Sequence, residues 1–268
     1  MLSTDALQVV EIARAAGRKI LARYGRPSLA VNDKTDGSPV TDADLEADLH
    51  IRSELAARWP FPIVSEETEV PDFADRAGWI EWWLVDPLDG TRDFVAGTNE
   101  FCVCIARVFD GVPELGVLYA PVSGIAWAAE RGNGAWRFDR GATEPTRVVC
   151  PERDGPITAF KSRFHSLPEA EKWVRAAGAT ALTDMGSALK FAAIAEGQAD
   201  LFVSMSAAKL WDLAAGQVIA EESGARVLAL DTRKAPRHDG ASLLAGPFVV
   251  LGRRLDATVL ERVEWAPR

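Results

Sequence analysis

Four short apolar segments follow one another between residues 101 and 138, and a glycine-containing turn separates each from the next. The sequence predicts strands at residues 101–109, 115–120, 125–130 and 135–138. Connections of so few residues join antiparallel neighbours, because a parallel crossover needs about a dozen residues or more. The first half of the chain is therefore expected to contain an antiparallel meander.

Helical patterns flank this meander on both sides. Before it, the sequence predicts helices at residues 6–24 and 42–58, the second capped by Thr41, and a strand at residues 79–85. Beyond residue 150 strands and helices alternate, with strands predicted at residues 157–160, 200–204 and 226–230 and helices at residues 168–177, 187–196 and 212–223.

The change of pattern near residue 150 predicts two halves within one unit of residues 1–268. Residues 1–145 form an α+β half and residues 150–268 an α/β half, so the fold class is mixed, with helices covering sheets. A cleft between the halves is the expected place for a site.

Charge and cysteine content limit the classes of partner. The net charge of −9, without a basic stripe, argues against nucleic-acid polymers but leaves room for a small anionic substrate beside bound cations. No apolar run has membrane-spanning length, and residues 6–24 do not resemble a secretory signal. Cys102, Cys104 and Cys150 lack metal-ligand spacing, which favours a reduced cytoplasmic protein.

The run Asp86-Pro87-Leu88-Asp89-Gly90-Thr91 directly follows the predicted strand at residues 79–85. Pro87 restricts Asp86 to extended geometry, so Asp86 and Asp89 are expected to face one point together with the Leu88 carbonyl. These are hard oxygen donors, which suit Mg²⁺.

The end of the same run offers a place for a phosphate. Gly90 and Thr91 present backbone N–H groups of the kind that hold phosphate oxygens. The alternative is that the whole run forms a solvent-exposed type I turn, since its composition suits that turn equally well.

Three further acidic positions have an ordinary explanation of their own. Glu66 and Glu67 follow a short apolar run and are either at a strand end or simply exposed. Asp44 suits the first turn of the helix at residues 42–58, where a carboxylate complements the helix dipole. Asp212 is a candidate N-cap, although the small residues that follow it predict a buried helix start.

Taken together, these acidic motifs resemble the inositol monophosphatase-like superfamily of metal-dependent phosphatases. The resemblance spans nearly the whole chain and implies a layered αβαβα sandwich of the inositol monophosphatase/fructose-1,6-bisphosphatase type. The matching segments, in order, are Ser38-Pro39-Val40-Thr41-Asp42-Ala43-Asp44, Glu66-Glu67, Asp86-Pro87-Leu88-Asp89-Gly90-Thr91 and Trp211-Asp212-Leu213-Ala214-Ala215-Gly216.

The resemblance also implies roles for the matching residues. Asp44 and Thr91 would form a pair that, with Glu66, activates a water, and the Gly90 and Thr91 amides would hold the phosphate of a small anionic ester. It further implies inhibition by Li⁺ and a possible homodimer, with no membrane partner. Up to three Mg²⁺ ions would be held by Glu66, Asp86, Leu88, Asp89 and Asp212, the last of which would also contact substrate.

Other segments resemble the 3′(2′),5′-bisphosphate nucleotidase branch of the superfamily. Arg92, Ser187 and Lys190 are the substrate-binding candidates, with a solvated helix face as the alternative for Lys190. Before Trp211 the branch has an arginine-containing segment, whereas this chain has residues 204–209 without arginine, leaving Lys209 as a possible substitute. The segments that carry the resemblance are Thr91-Arg92-Asp93-Phe94, Asn99-Glu100-Phe101, Leu118-Tyr119-Ala120-Pro121, Gly186-Ser187-Ala188-Leu189-Lys190-Phe191 and Ala195-Glu196-Gly197-Gln198-Ala199-Asp200.

Two other functions stay open at this point. One is a phosphatase for inositol phosphate, histidinol phosphate or a related sugar phosphate. The other is a catalytically silent binding protein of the same fold, because a fold alone does not determine function. The three histidines, His50, His165 and His238, lie in no nucleophile motif and are expected to be structural or exposed.

Overall fold

The computed structural model describes residues 1–26, 31–33 and 39–261. Ser38, which opens the first matching segment, and residues 34–37 of the same loop lie outside the described residues. Among the described helices, none combines the length and apolarity that crossing a membrane would need.

Seven α-helices and one 3₁₀-helix occur in the described part of the chain. The two long predicted helices near the N-terminus are confirmed, and Thr41 caps the second through its side chain, which accepts from the Ala43 N–H. The α-helices are α1 Thr4–Arg23, α2 Asp42–Arg58, α3 Phe73–Arg76, α4 Thr91–Ala96, α5 Pro168–Ala176, α6 Leu189–Ala195 and α7 Leu210–Ser223; the 3₁₀-helix is Ala257–Glu261.

The strands in the described ranges fall into two large sheets and two short pairs. In chain order they are β1 Val31–Asp33, β2 Pro39–Thr41, β3 Ile63–Ser65, β4 Glu81–Asp89, β5 Cys102–Phe109, β6 Val112–Ala120, β7 Ile125–Glu130, β8 Gly134–Phe138, β9 Thr146–Val148, β10 Ile157–Ser162, β11 Ala179–Met185, β12 Leu201–Ser204, β13 Ala208–Lys209, β14 Arg226–Ala229, β15 Leu244–Ala245 and β16 Phe248–Leu251.

The larger sheet contains the predicted meander. Its seven strands run β3-β4-β5-β6-β7-β8-β9, and each neighbouring pair from β4 onward is antiparallel. Strand β3 instead pairs with β4 in parallel, with Ser65 opposite Val85. This pairing brings the residue after β3, Glu66, to the same edge as the end of β4.

The smaller sheet has the order β11-β10-β12-β16-β14. Strand β10 pairs in parallel with both β11 and β12, and β16 pairs antiparallel with both β12 and β14. Strands β11 and β16 were not predicted from the sequence. Most of β11 is exposed or half-buried, so it lacks the apolar pattern of a strand, and β16 is a short apolar run that periodicity alone does not identify.

Helices and sheets stack in five layers. Along β4, Trp83 and Val85 pack against α1 and α2, whereas Trp82 and Leu84 face α6, α7 and the smaller sheet. The outer face of the smaller sheet is covered by α5, whose Trp173 belongs to a third apolar cluster. Both faces of each sheet are therefore buried, which confirms the layered αβαβα class.

Helix α7 lies unusually close to the larger sheet. A Cβ atom on Gly116 of β6 would lie 2.7 Å from the Ala215 carbonyl oxygen, so this position admits only glycine. On the other side of α7, a Cβ on Gly216 would lie 2.4 Å from the Phe191 ring. The predicted burial of this helix start is confirmed, and the close packing places Asp212 against the end of β4.

Candidate metal centre and substrate pocket

The acidic run at residues 86–91 is a bulged strand end rather than a turn. Strand β4 continues to Asp89, and its ladder pairs Asp86 with Cys104 but Asp89 with Cys102, so one extra residue is accommodated between them. Pro87 lies in this irregularity, where its missing N–H costs no ladder bond. The alternative of an exposed type I turn is therefore wrong, because Asp86 is 2% exposed.

Three carboxylates from separate elements meet at this strand end. Glu66 follows β3, Asp86 belongs to the bulge, and Asp212 lies in the first turn of α7; each contributes one oxygen to a group whose atoms lie within 4.8 Å of one another. Asp212 is not the N-cap of its helix. The N-cap is Lys209, whose backbone N–H donates to Asp212 Oδ2 at 3.2 Å.

Asp89 lines the same pocket but has different neighbours. Its Oδ2 accepts from the Ala188 N–H, which ties the end of β4 to the start of α6. Its side-chain oxygen also groups with the sulfurs of Cys102 and Cys104 within 4.8 Å. The neighbouring Leu88 N–H donates to Asp86 Oδ1 at 2.9 Å, which holds the bulge in shape.

Asp44 and Thr91 form a hydrogen-bonded pair beside these carboxylates. Asp44 Oδ2 accepts from the Thr41 N–H at 2.8 Å and from the Thr41 hydroxyl at 2.6 Å. The Thr91 hydroxyl oxygen lies 3.1 Å from Asp44 Oδ1 and 3.2 Å from the Leu88 carbonyl oxygen. Asp44 therefore both completes the capping box of α2 and contacts the end of the acidic run, so its capping role does not account for all of its contacts.

Gly90 links the acidic run to helix α4. It adopts φ 91°, a left-handed conformation that favours glycine, and a Cβ there would lie 3.2 Å from both the Glu100 carbonyl oxygen and Ser187 Cβ. Glycine at this position lets β4 end and α4 begin within one residue. Gly90, Thr91 and Arg92 consequently line the pocket in succession.

Burial and repulsion between carboxylates raise the pKa of Asp86, Asp89 and Asp212. Desolvation is the largest cause for Asp86 and Asp212, and the pKa of each lies well above its ordinary value. For Asp89, burial raises the pKa to about 6, although Lys190 and the Ala188 N–H act in the opposite direction. A cluster of this kind favours a bound cation, which would offset the repulsion.

These pKa shifts predict a pH-dependent stability that Mg²⁺ reverses. A carboxyl whose pKa is higher in the folded chain stabilises the fold at low pH, and that contribution disappears as pH rises through the folded pKa. For Asp89 the window runs from 3.8 to about 6. We expect the melting temperature of the metal-free protein to fall by roughly 5 °C between about pH 4.5 and 7.5, measured by differential scanning calorimetry.

The same experiment repeated with Mg²⁺ supplies the control. Mg²⁺ should raise the melting temperature much more at about pH 7.5 than at about pH 4.5, because protons compete for the carboxylates at low pH. An equal effect of Mg²⁺ at both pH values would contradict the involvement of these carboxyls.

The substrate-binding candidates Ser187 and Lys190 lie at the start of α6. Ser187 adopts φ 52° and precedes the helix, which begins two residues later than predicted, at Leu189. Lys190 is 5% exposed, so the alternative of a solvated helix face is wrong. Its ammonium donates to the Ser187 carbonyl at 2.6 Å and to the Met185 carbonyl at 3.2 Å, and these bonds fix the backbone that lines the pocket.

Three further basic residues line the pocket, and of these only Lys209 was considered from the sequence, as a possible substitute for the missing arginine. The cavity measures about 310 Å³, and Arg163, His165 and Lys209 contribute to its wall. Arg163 Nη2 lies 2.7 Å from Glu100 Oε2, and burial lowers the pKa of His165. A usable sequence signal existed for Arg163 and His165, because both follow β10, and ligands often bind beyond the carboxyl ends of parallel strands.

The remaining histidines do not line this pocket. His238 is buried, its Nε2 lies 2.9 Å from Gln217 Oε1, and burial lowers its pKa to about 3. This agrees with the structural role that the sequence predicted for it.

Comparison with known proteins agrees with this architecture. The chain is 40% identical over 223 residues to the 3′(2′),5′-bisphosphate nucleotidase CysQ of Escherichia coli strain K12, covering 82% of this chain and 88% of the relative. The crystal structure of CysQ from Bacteroides thetaiotaomicron superposes with a TM-score of 0.82 at 33% identity, covering 94% of this chain and 98% of that one.

A more distant structure contains the expected ligands. An IMPase/NADP phosphatase complexed with Mg²⁺ and phosphate shares the fold at a TM-score of 0.71 and 23% identity, with 88% of this chain and 86% of that chain covered. The model of the inositol monophosphatase family matches residues 2–264. The chain therefore belongs to the inositol monophosphatase family.

Proposed function

We propose that this protein is a Mg²⁺-dependent phosphomonoester hydrolase that converts adenosine 3′,5′-bisphosphate to AMP and phosphate. The observation that carries the proposal is the convergence of Glu66, Asp86 and Asp212 at a pocket that basic side chains also line. The names of the 40%-identical relatives favour the bisphosphate substrate. The whole chain would act as one catalytic unit, because residues from both halves of the sequence surround the pocket.

The donor set fits Mg²⁺. Carboxylate oxygens of Glu66, Asp86, Asp89 and Asp212 and the Leu88 carbonyl are hard ligands, and together they offer enough oxygens for more than one ion. When bound, Mg²⁺ supplies the positive charge that offsets the phosphate dianion and polarises its oxygens. Up to three ions, and inhibition by Li⁺, remain predictions from the family resemblance.

The Asp44–Thr91 pair is assigned to water activation. The Thr91 hydroxyl orients the attacking water as it donates its own proton to Asp44, whose other oxygen is held by two bonds from Thr41. Glu66 accepts from the same water, and the Gly90 and Thr91 amides hold the phosphate that is attacked. This arrangement needs no covalent intermediate.

The second phosphate of the substrate requires a protein cation in addition to the metal ions. Of the basic side chains in the pocket, Arg163 and Lys190 are already bonded to protein groups, to Glu100 in one case and to backbone carbonyls in the other. Arg92, a predicted substrate-binding residue, and Lys209 also line the pocket. Lys209 lies beside Asp212, and its Nζ sits 5.6 Å from the centroid of the Trp211 ring. The positive charge of Lys209 lies at the N-terminus of α7, where the helix dipole disfavours a cation. A cation placed there despite this cost is better explained by anion binding than by helix stability.

Replacing Lys209 tests this assignment. We expect Lys209→Met to raise the KM for adenosine 3′,5′-bisphosphate about tenfold, equivalent to the loss of one charge-assisted contact, with little change for inositol 1-phosphate. Steady-state kinetics on both esters measure the difference. The matched control is Lys172→Met on the outer helix α5, which should leave both KM values unchanged; an equal rise for both esters in Lys209→Met would contradict the assignment.

A substrate panel tests the function itself. Phosphate release should be fastest from adenosine 3′,5′-bisphosphate, should exceed release from inositol 1-phosphate and histidinol phosphate by about tenfold or more, and should stop in EDTA. Preference for either polyol ester would favour the alternative phosphatase assignment. Absence of Mg²⁺-dependent turnover on every ester would favour a binding protein of the same fold. A homodimer and a cytoplasmic location remain predictions.

A further inference from the structure

Two buried cysteines lie directly behind the metal centre. Cys102 and Cys104 are alternate residues of β5 and share one face of the strand, and neither is exposed to solvent. Their sulfurs are 3.7 Å apart, and one oxygen of Asp89 lies within 4.8 Å of both. The Cys102 sulfur is also 3.6 Å from the Ser187 hydroxyl oxygen.

The sequence spacing of the cysteines did not indicate a metal site, but the distance between the Cys102 and Cys104 sulfurs in the folded chain suits a tetrahedral thiophilic cation. Two thiolates bound to Zn²⁺ at about 2.3 Å stand about 3.8 Å apart when the geometry is tetrahedral, close to the 3.7 Å between Cys102 and Cys104. Asp89 offers a third ligand, and the Ser187 hydroxyl or a water can complete the shell. The adjacent carboxylate cluster has only hard oxygen donors, so the two neighbouring groups prefer different metals.

We propose that Cys102, Cys104 and Asp89 form a binding site for a thiophilic divalent cation, such as Zn²⁺ or Cd²⁺, separate from the cluster of Glu66, Asp86 and Asp212. Asp89 would serve both this site and the proposed Mg²⁺ site. The cation reaches the site through the substrate pocket, which Asp89 and Ser187 both line. Two S–H bonds are replaced by two sulfur–metal bonds, and the two protons leave to solvent.

Occupation of this site withdraws Asp89 from Mg²⁺ and inhibits phosphate release. That consequence depends on the proposed function, whereas the binding of the cation does not. A spectroscopic measurement of binding and a kinetic measurement of inhibition therefore separate failure of this inference from failure of the phosphatase assignment.

The binding test is a titration with CdCl₂ in the presence of excess Mg²⁺. Wild-type protein should take up one Cd²⁺ per chain with the ultraviolet charge-transfer absorbance of cadmium–thiolate bonds. Cys102→Ala and Cys104→Ala should each lose at least half of that absorbance. Cys150→Ala is the matched control, because Cys150 is also buried and free but contacts Ile194 and Arg253 instead.

Two results would overturn the inference. One is a wild-type protein without cadmium–thiolate absorbance at one equivalent, a measurement that does not depend on whether any variant folds. The other is an absorbance lost in Cys150→Ala but kept in Cys104→Ala.

The kinetic test measures inhibition by ZnCl₂ at saturating Mg²⁺. With inhibition expressed relative to each variant's own turnover in Mg²⁺ alone, Cys104→Ala should raise the inhibitory Zn²⁺ concentration at least tenfold, whereas Cys150→Ala should not change it. Equal inhibition of wild type and Cys104→Ala would place Zn²⁺ at the carboxylate cluster and would contradict the shared role of Asp89.

Discussion

Asp89→Asn is expected to lower phosphate release by about 10³-fold or more while the protein stays folded. The carboxylate lies at the end of β4 and lines the pocket, and its replacement removes one negative charge and one proposed Mg²⁺ ligand. The asparagine carbonyl can still accept from the Ala188 N–H, so the contact between β4 and α6 survives. Steady-state kinetics and calorimetric titration of Mg²⁺ measure the two losses together.

The fold of this variant provides an internal check. Burial raises the pKa of Asp89 to about 6, which means that its charged form destabilises the metal-free protein near neutral pH. We therefore expect metal-free Asp89→Asn to melt at the same temperature as wild type or higher. Asp231→Asn, at an exposed carboxyl, is the control and should change neither activity nor Mg²⁺ affinity. Turnover near the wild-type rate in Asp89→Asn would overturn its assignment as a metal ligand.

Thr91→Val is expected to lower turnover by roughly 10²–10⁴-fold, the range typical of losing a positioned acid–base group. Valine keeps the shape of threonine but removes the hydroxyl that lies between Asp44 Oδ1 and the Leu88 carbonyl oxygen. Because the hydroxyl is assigned to the water and not to the metal, Mg²⁺ affinity should change by less than about threefold. Thr146→Val, at an exposed position on β9, serves as the control.

Asp44→Asn should reproduce the loss of turnover expected for Thr91→Val. An asparagine can satisfy the Thr41 N–H with its carbonyl oxygen, but its amide then faces Thr91 as a donor and no longer takes the hydroxyl proton. Since the two residues act as one unit, the double variant should lose little more than either single variant. If the losses of turnover in the two single variants add up in the double variant, the shared role is contradicted. It is also contradicted if Thr91→Val changes only the affinity for Mg²⁺.

Much of the fold was predictable because local sequence determines it. The meander at β5 to β8 follows from short apolar segments joined by glycine-containing turns, and its antiparallel pairing is confirmed. The capping box at Thr41 and Asp44 was likewise predictable, because its partners lie within one helical turn. Strand β11 was not predicted, because most of its residues are exposed or half-buried and its sequence therefore lacks an apolar pattern. Its pairing with β10 is visible only in the structure.

The chemistry of the acidic run was predictable only in part. Asp86, Leu88 and Asp89 were identified as neighbouring oxygen donors, but the type I turn offered as their alternative geometry is a β-bulge instead. A bulge depends on the register of β4 against β5, which Pro87 alone does not specify. Lys190 was identified as a pocket residue, yet its bonds to the Met185 and Ser187 carbonyls could not be inferred from helical periodicity.

The sequence by itself determined which oxygen donors are present, which residues cap the helices and which stretches bury an apolar face, because these properties depend on near neighbours in the chain. Only the tertiary structure decided that Glu66 and Asp86 meet Asp212, while Asp89 also faces two cysteine sulfurs. Glu66, Asp86 and Asp212 meet because β3 pairs in parallel with β4 and because α7 approaches Gly116 closely. Both are contacts between segments distant in sequence, and their geometry is set by packing of the whole core.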